Sequence, residues 1–229
     1  HVPAADAIIL LEVDAPWVQK RTPPSEDACI ISIGQDPLHT DIPVRSYRTD
    51  ITLAGTPRLT IAALVEAIKK IGVDAPAVKK RATKWSEARD KRVAANEARA
   101  EAGKDQFPIN KSYFGRELSK QLDEQSIFIV ELGADSTQFQ FDTPGDAYAH
   151  SPAGGLGWAL GAALGAKLAS PDKTVVCAVG DGSYTFGVPT AAHITSHMQN
   201  LPVLFIVWNN GIWNAVKSSA KGFAPEGVA

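Results

Sequence analysis

The sequence predicts an α/β fold in which parallel sheets are flanked by helices. Several short runs are continuously apolar, and segments with helical character separate them. Such runs are typical of parallel sheets, because helices cover both faces of the sheet. Polar, glycine-containing motifs follow two of the later runs, at the kind of position where parallel strands end and ligands bind. We therefore expect a binding edge within this fold.

The first region, residues 1–73, has the element order of part of an α/β domain. Apolar runs predict three strands, over residues 7–13, 29–34 and 48–54. A helix is predicted over 58–71, since Pro57 suits a first helical turn and Gly72 ends the pattern. The region is too short for a complete doubly wound domain. We expect part of a middle domain here.

The second segment, residues 74–106, is charged, rich in alanine and almost free of large apolar side chains. Pairs such as Glu87 and Lys91 are spaced to support a solvated helix. Its many Lys and Arg residues could indicate a nucleic-acid surface, but the interspersed Glu and Asp favour a helical linker.

The third region, residues 107–229, repeats the alternation of helix and strand. Helices are predicted over residues 111–124, 155–169 and 187–199. Strands are predicted over residues 126–132, 173–179 and 202–208. The continuously apolar strands indicate a parallel sheet with both faces covered.

Composition excludes several classes of protein. The 23 Lys and Arg residues against 25 Asp and Glu residues give a net charge of −2, which offers no electrostatic reason for nucleic-acid or membrane binding. No apolar run approaches the ~18 residues that span a bilayer. Only Cys29 and Cys177 are present, so we expect a reducing, cytoplasmic location. The start at His1 leads us to expect part of a longer product.

Two strand ends carry the residues suited to chemistry. One strand ends in Gly-Asp-Gly-Ser and the next in Asn-Asn-Gly. Asp181 and Asn210 offer oxygen ligands for Mg²⁺ or Ca²⁺. Gly180 and Gly182 let the backbone approach a phosphate, and Ser183 can donate to it. A single carboxylate suffices only if the phosphates of the ligand complete the metal shell.

This pattern resembles the diphosphate–metal signature of thiamine-diphosphate-dependent enzymes. The segment Ser-Pro-Ala-Gly-Gly-Leu-Gly-Trp at 151–158 resembles the loop and helix start that hold the thiazolium region. The sequence of this segment resembles that of the branch containing acetolactate synthase, benzoylformate decarboxylase and pyruvate decarboxylase. The resemblance covers residues 107–217 and, more vaguely, the latter half of that branch's middle domain at residues 1–72.

The resemblance implies a role for each matching position. Asp181, the side chain of Asn210 and the backbone carbonyl of Ile212 would bind Mg²⁺. The positions that would face the diphosphate are Gly180, Gly182, Ser183 and the N–H of Trp213. The positions that would hold the rest of thiamine diphosphate are the carbonyl of Gly154, the neighbouring Gly155 and the apolar wedge Leu156.

The resemblance also implies the activity. We expect an enzyme that acts on a 2-oxo acid by decarboxylation or by acetolactate synthase-like carboligation, as a homodimer or homotetramer. In the family, an activating glutamate lies in a separate pyrimidine-binding domain, so we expect these residues alone to be inactive. The alternative is a non-catalytic cofactor-binding or assembly fragment.

Four further residues are candidate substrate contacts. Glu131 ends a predicted strand, and Asp135 and Ser136 follow in the loop. They could line a substrate pocket, although a loop-capping role suits them equally. His150 lies just before the glycine-rich segment and could reach a substrate.

Overall fold

The chain folds into two units, residues 1–84 and 85–229. The computed structural model describes residues 2–149 and 155–227. In both units every strand pairing within the sheet is parallel. The predicted architecture of parallel sheets flanked by helices is therefore confirmed.

The described part of the first unit contains a three-stranded sheet, followed by a helix and the start of a second one. The strands are β1 (Ala7–Leu11), β2 (Cys29–Gly34) and β3 (Ile51–Ala54), in the order β1-β2-β3, and α1 spans Pro57–Ile71. A small apolar core includes Leu10, Trp17 and Ile30. The predicted first strand is two residues too long, because Glu12 adopts a left-handed φ of 49° that ends the ladder.

Helix α2 spans Ala75–Ala102, within the segment predicted to be a helical linker. Among its residues only Ala100 is buried, as its charged sequence predicts. Its last turns belong to the second unit, where the buried guanidinium of Arg116 lies 3.0 Å from Glu97 and 2.7 Å from Glu101.

The sheet of the second unit has four parallel strands in the order β5-β4-β6-β7. These are β4 (Ser126–Glu131), β5 (Ala147–Ala149), β6 (Thr174–Gly180) and β7 (Val203–Trp208). Strand β5 is absent from the sequence prediction, because its three residues do not form an apolar run long enough to indicate a strand.

Helices cover both faces of this sheet. The helices are α3 (Lys111–Ser119), α4 (Trp158–Ala169), α5 (Asp181–Phe186), α6 (Pro189–Met198) and α7 (Asn214–Phe223). One face packs against α4 through side chains that include Ile129, Leu160 and Cys177. The opposite face, with Phe128 and Val176, packs against α3.

Three predicted helices have different limits in the structure. The helix predicted over 187–199 is α6, which begins only at Pro189 because Val188 has a left-handed φ of 50°. The short helix α5 before it is absent from the sequence prediction. Helix α4 begins only at Trp158, after Gly157 with a φ of 90°. Helix α3 ends at Ser119, and the carboxylate of Asp123 then closes a turn leading into β4.

Among residues 2–149 and 155–227, no helix combines the length and the apolar character needed to cross a membrane.

Candidate functional site

The two glycine- and asparagine-containing motifs lie side by side at one edge of the second sheet. Gly180, the last residue of β6, pairs with Trp208, the last residue of β7. Asp181 and Asn210 therefore follow neighbouring strands at the same carboxyl edge. This is the edge at which ligands bind in open parallel sheets.

Hydrogen bonds to backbone N–H groups hold both polar side chains in place. The Oδ2 atom of Asp181 accepts from the N–H of Gly211 at 2.9 Å. The Oδ1 atom of Asn210 accepts from the N–H of Ile212 at 3.0 Å. Carboxylate and amide oxygens have further lone pairs, so both can also bind a cation.

A cavity of about 270 Å³, here called the motif cavity, opens at this edge. Eight of the ten predicted site residues line it: Leu156, Gly180, Asp181, Gly182, Ser183, Asn210, Ile212 and Trp213. The ninth, Gly155, is exposed and does not line the cavity. The tenth, Gly154, lies outside the described residues. The structure thus brings both motifs and Leu156 to one cavity.

Ser183 has an unsatisfied hydroxyl in this cavity. The residue is only 2% exposed, and its Oγ atom has no hydrogen-bond partner in the described part of the chain. A buried hydroxyl without a partner costs about 1–3 kcal/mol. An anionic ligand in the motif cavity would supply the missing acceptor, so the residues present fit a phosphate group.

Gly182 has no side chain, so other groups can come close to its backbone. A Cβ atom placed there would lie 2.5 Å from Cζ3 of Trp213, so the indole ring occupies the space that a side chain would take. The ring is 47% exposed and packs edge-on against Phe186, with 5.3 Å between the ring centroids. A ligand that reaches the Gly182 backbone would therefore contact this ring.

Glu131 serves as a cap. Its side chain is 1% exposed, and its two carboxylate oxygens accept from the N–H groups of Gly157 at 2.7 Å and Ala159 at 2.9 Å. It thereby fixes the start of α4, next to Leu156 in the cavity wall. Of the two roles open to Glu131, the structure supports capping.

Asp135 also caps a loop. Its carboxylate accepts from the N–H of Thr137, from the hydroxyl of Ser112 at 2.6 Å and from Arg99 at 3.0 Å. Burial opposes its ionisation, but the hydrogen bonds from Ser112 and Thr137 outweigh it and lower its pKa from 3.8 to about 2. His150, a further candidate, lies outside the described residues.

Part of the cavity wall is formed by residues that the sequence did not predict. Lys111, Leu132 and the start of α7 also line the motif cavity. Lys111 is the first residue of α3, a helix that leads into β4, so its beginning lies at the carboxyl edge of the sheet. That topological signal was available in the predicted element order.

No cluster of three or more His, Cys, Asp or Glu residues suited to a metal occurs in the part of the chain that the structure describes. Asp181 is the one carboxylate among the described residues that line the motif cavity. This agrees with the expectation that a bound metal would need oxygen ligands from a phosphate.

Comparison with known proteins gives consistent results for the second unit. Residues 132–226 match the model of the family described as thiamine pyrophosphate enzyme, C-terminal TPP binding domain. Benzoylformate decarboxylase from Pseudomonas aeruginosa is 35% identical over 96 residues, which are 40% of this chain and 18% of the relative. Acetolactate synthase 3, chloroplastic, from Brassica napus is 33% identical over 120 residues, which are 47% of this chain and 18% of the relative.

The fold has a counterpart among solved structures. The thiamine diphosphate-dependent 4-hydroxybenzoylformate decarboxylase of Rhodococcus jostii RHA1 aligns with a TM-score of 0.59 at 21% identity. The alignment covers 96% of this chain and 39% of that one. The chain thus spans less than half of that structure and about a fifth of the two curated relatives. Residues 132–226 of the chain are therefore similar to the C-terminal TPP binding domain of the thiamine pyrophosphate enzymes.

Proposed function

We propose that the chain is the diphosphate-binding part of a thiamine diphosphate- and Mg²⁺-dependent enzyme that acts on a 2-oxo acid. The observation that carries this proposal is the buried Ser183 hydroxyl, which lacks a partner in the described structure and lies in the motif cavity. The same cavity is lined by Asp181 and Asn210, the two side chains with oxygen ligands for Mg²⁺.

In this proposal each residue has a defined task. Asp181, Asn210 and the carbonyl of Ile212 bind Mg²⁺, which the diphosphate oxygens also bind. Ser183 donates its hydroxyl to the diphosphate, and Gly182 admits it to the backbone. Gly180 and the N–H of Trp213 complete the diphosphate site.

The other end of the cofactor is assigned to the segment before α4. Leu156, held beside the cap formed by Glu131, would support the cofactor as an apolar wedge, and Gly154 and Gly155 would contact its remaining part. When bound, thiamine diphosphate supplies an electron sink for the cleavage or formation of a carbon–carbon bond next to a carbonyl group. The protein supplies binding and orientation.

The binding part of the proposal can be tested by calorimetry with the whole chain. Thiamine diphosphate should bind in the presence of Mg²⁺ and much less in EDTA. Asp181→Asn removes the charged metal ligand but keeps an acceptor for Gly211, so we expect affinity to fall by about 10- to 100-fold. The control is Asp172→Asn, an exposed carboxylate in the turn before β6. Equal affinity of wild type and Asp181→Asn would refute the site.

The reaction is proposed at the level of 2-oxo acid chemistry, either decarboxylation or acetolactate synthase-like carboligation. The names of two relatives, a decarboxylase and an acetolactate synthase, support these two reactions. Both reactions release CO₂, so the organic product distinguishes them: an aldehyde indicates decarboxylation, and an acetohydroxy acid indicates carboligation. Cofactor binding without turnover by the enzyme that contains this chain would favour the alternative, a non-catalytic binding or assembly module.

We also propose that the protein assembles as a homodimer or homotetramer. Helix α4 exposes Gly161 and Gly165, and open space lies where a Cβ atom would be at each position. Such small residues allow another helix to approach closely. Light scattering on the purified protein tests this, and a clean monomer would contradict it.

The cytoplasm is the proposed location. Cys29 and Cys177 are both free, as is usual for thiols in a reducing compartment. Fractionation of cells that express the protein would test this.

A further inference from the structure

Lys111 is the one cationic side chain among the described residues that line the motif cavity. It shares that wall with Asp181 and with the hydroxyl of Ser183. Neither the GDGS motif, the Asn-Asn motif nor the glycine-rich segment contains it, and the family model begins only at residue 132. Lys111 thus lines the motif cavity without a role in the proposed site.

The ammonium group is held at the carboxyl edge of the sheet by two contacts. Its Nζ atom donates to the carbonyl of Leu132, just beyond the end of β4, at 2.5 Å. It also lies 5.9 Å from the ring centroid of Trp208, the last residue of β7. An ammonium has three N–H donors, so the bond to Leu132 leaves two for a ligand.

This arrangement is costly in the free protein. Burial lowers the pKa of Lys111, and the negative charge of Asp135 only partly opposes this. Lys111 is also the first residue of α3, where the helix dipole disfavours a cation. It forms no ion pair with any carboxylate in residues 2–149 and 155–227. The nearby Asp135 is already bound by Ser112, Thr137 and Arg99.

An anion in the motif cavity would offset these costs. A diphosphate carries more negative charge than one Mg²⁺ neutralises, and Asp181 adds a further negative charge at the same site. A second cation on the protein would balance this excess, and a charge-assisted hydrogen bond is among the stronger polar contacts.

We propose that Lys111 binds the diphosphate group of the ligand in the motif cavity, through the N–H donors not used by the Leu132 carbonyl. This inference rests on the proposed function and adds to it a cationic ligand outside the known motifs. Lys111 lines the same cavity as Gly182 and Ser183, the residues proposed to face the diphosphate. Its positive charge favours that anionic group over the apolar parts of the cofactor.

The first test compares ligands with and without the diphosphate, using the whole chain. Affinities for Mg²⁺–thiamine diphosphate, Mg²⁺–pyrophosphate and thiamine are measured by calorimetry for wild type, Lys111→Met and Lys111→Arg. The matched control is Lys120→Met, which removes an exposed ammonium just beyond the other end of α3.

Lys111→Met should weaken both diphosphate ligands by about 10-fold or more and leave thiamine binding unchanged. Lys111→Arg keeps the charge, so its affinity for the diphosphate ligands should stay within about threefold of the wild-type affinity. The affinity of Lys120→Met should equal that of wild type. Unchanged diphosphate binding by Lys111→Met, or an equal loss for thiamine, would overturn the inference but not the proposed function. If wild type binds neither diphosphate ligand, the proposed function fails, and the inference fails with it.

A second test needs no variant. Reductive methylation of lysines, followed by mass spectrometry of peptides, reports how accessible each ammonium is. Mg²⁺–thiamine diphosphate should slow the labelling of Lys111 but not that of Lys120, and thiamine should slow neither. Equal labelling of Lys111 with and without the diphosphate ligand would overturn the inference.

Discussion

The carboxylate of Glu131 accepts a hydrogen bond of 2.7 Å from the backbone N–H of Gly157. The bond joins the last residue of β4 to the residue before α4, and the second carboxylate oxygen accepts from Ala159. Glu131 is 1% exposed and Ala159 is fully buried, so water cannot replace the carboxylate as the acceptor for the Ala159 N–H. This pair of bonds fixes the approach of the glycine-rich segment to the motif cavity.

Glu131→Gln should destabilise this connection. The amide can accept through only one atom, so one of the two N–H groups would face an NH₂ group, at a cost of about 1–3 kcal/mol. Urea unfolding followed by circular dichroism measures the total loss, and hydrogen exchange at Gly157 and Ala159 locates it. Glu124→Gln, at an exposed position before β4, is the control. Equal stability of the two variants would contradict the role of Glu131.

Much of this site could be predicted from sequence, because its main residues follow directly after strands. A continuous apolar run identifies β6 and β7, and the rule for parallel sheets then brings Asp181 and Asn210 to one edge. The structure agrees, since Gly180 pairs with Trp208. Lys111 could have been added by the same rule, since it begins the helix that precedes β4.

Other features depend on contacts between distant residues and leave no local signal. Glu131 can be identified as a cap only when the position of α4 is known, and its partners lie 26 or more residues later in the chain. Gly133 looks like an ordinary loop glycine, yet a Cβ atom there would lie 2.2 Å from the backbone of Ala178. The six-residue helix α5 was not predicted, because its Gly-Asp-Gly-Ser start reads as a loop.

Two glycines at the start of α4 and within it should respond oppositely to alanine. Gly157 has a φ of 90°, and a Cβ atom would lie 2.6 Å from the backbone N of Gly187, so Gly157→Ala should cost about 2 kcal/mol or more. Gly161 lies within the helix with open space around it, so Gly161→Ala should stabilise by about 0.5–1 kcal/mol. Thermal unfolding of both variants tests this, and equal shifts would contradict the geometry.

Asp135 should make stability depend on pH in the acid range. Its folded pKa of about 2 lies below the ordinary 3.8, so its contribution is complete above pH 3.8 and is lost as the pH falls towards 2. The difference corresponds to about 2 kcal/mol. Asp135→Asn should flatten the dependence of unfolding free energy on pH between about 4 and 2. Asp172→Asn should leave it unchanged, and an unaltered slope in Asp135→Asn would contradict the assignment.

Trp213 should report ligand binding directly. Its ring covers Gly182 and lines the motif cavity, so a diphosphate that reaches the Gly182 backbone must change the surroundings of the indole. We expect Mg²⁺–thiamine diphosphate to alter the tryptophan fluorescence of the wild type, and Trp213→Phe to remove most of that change. The control is Trp85→Phe, because Trp85 lies on α2 and is not part of the cavity wall. If the signal survives in Trp213→Phe and disappears in Trp85→Phe, the ligand binds away from the motif cavity.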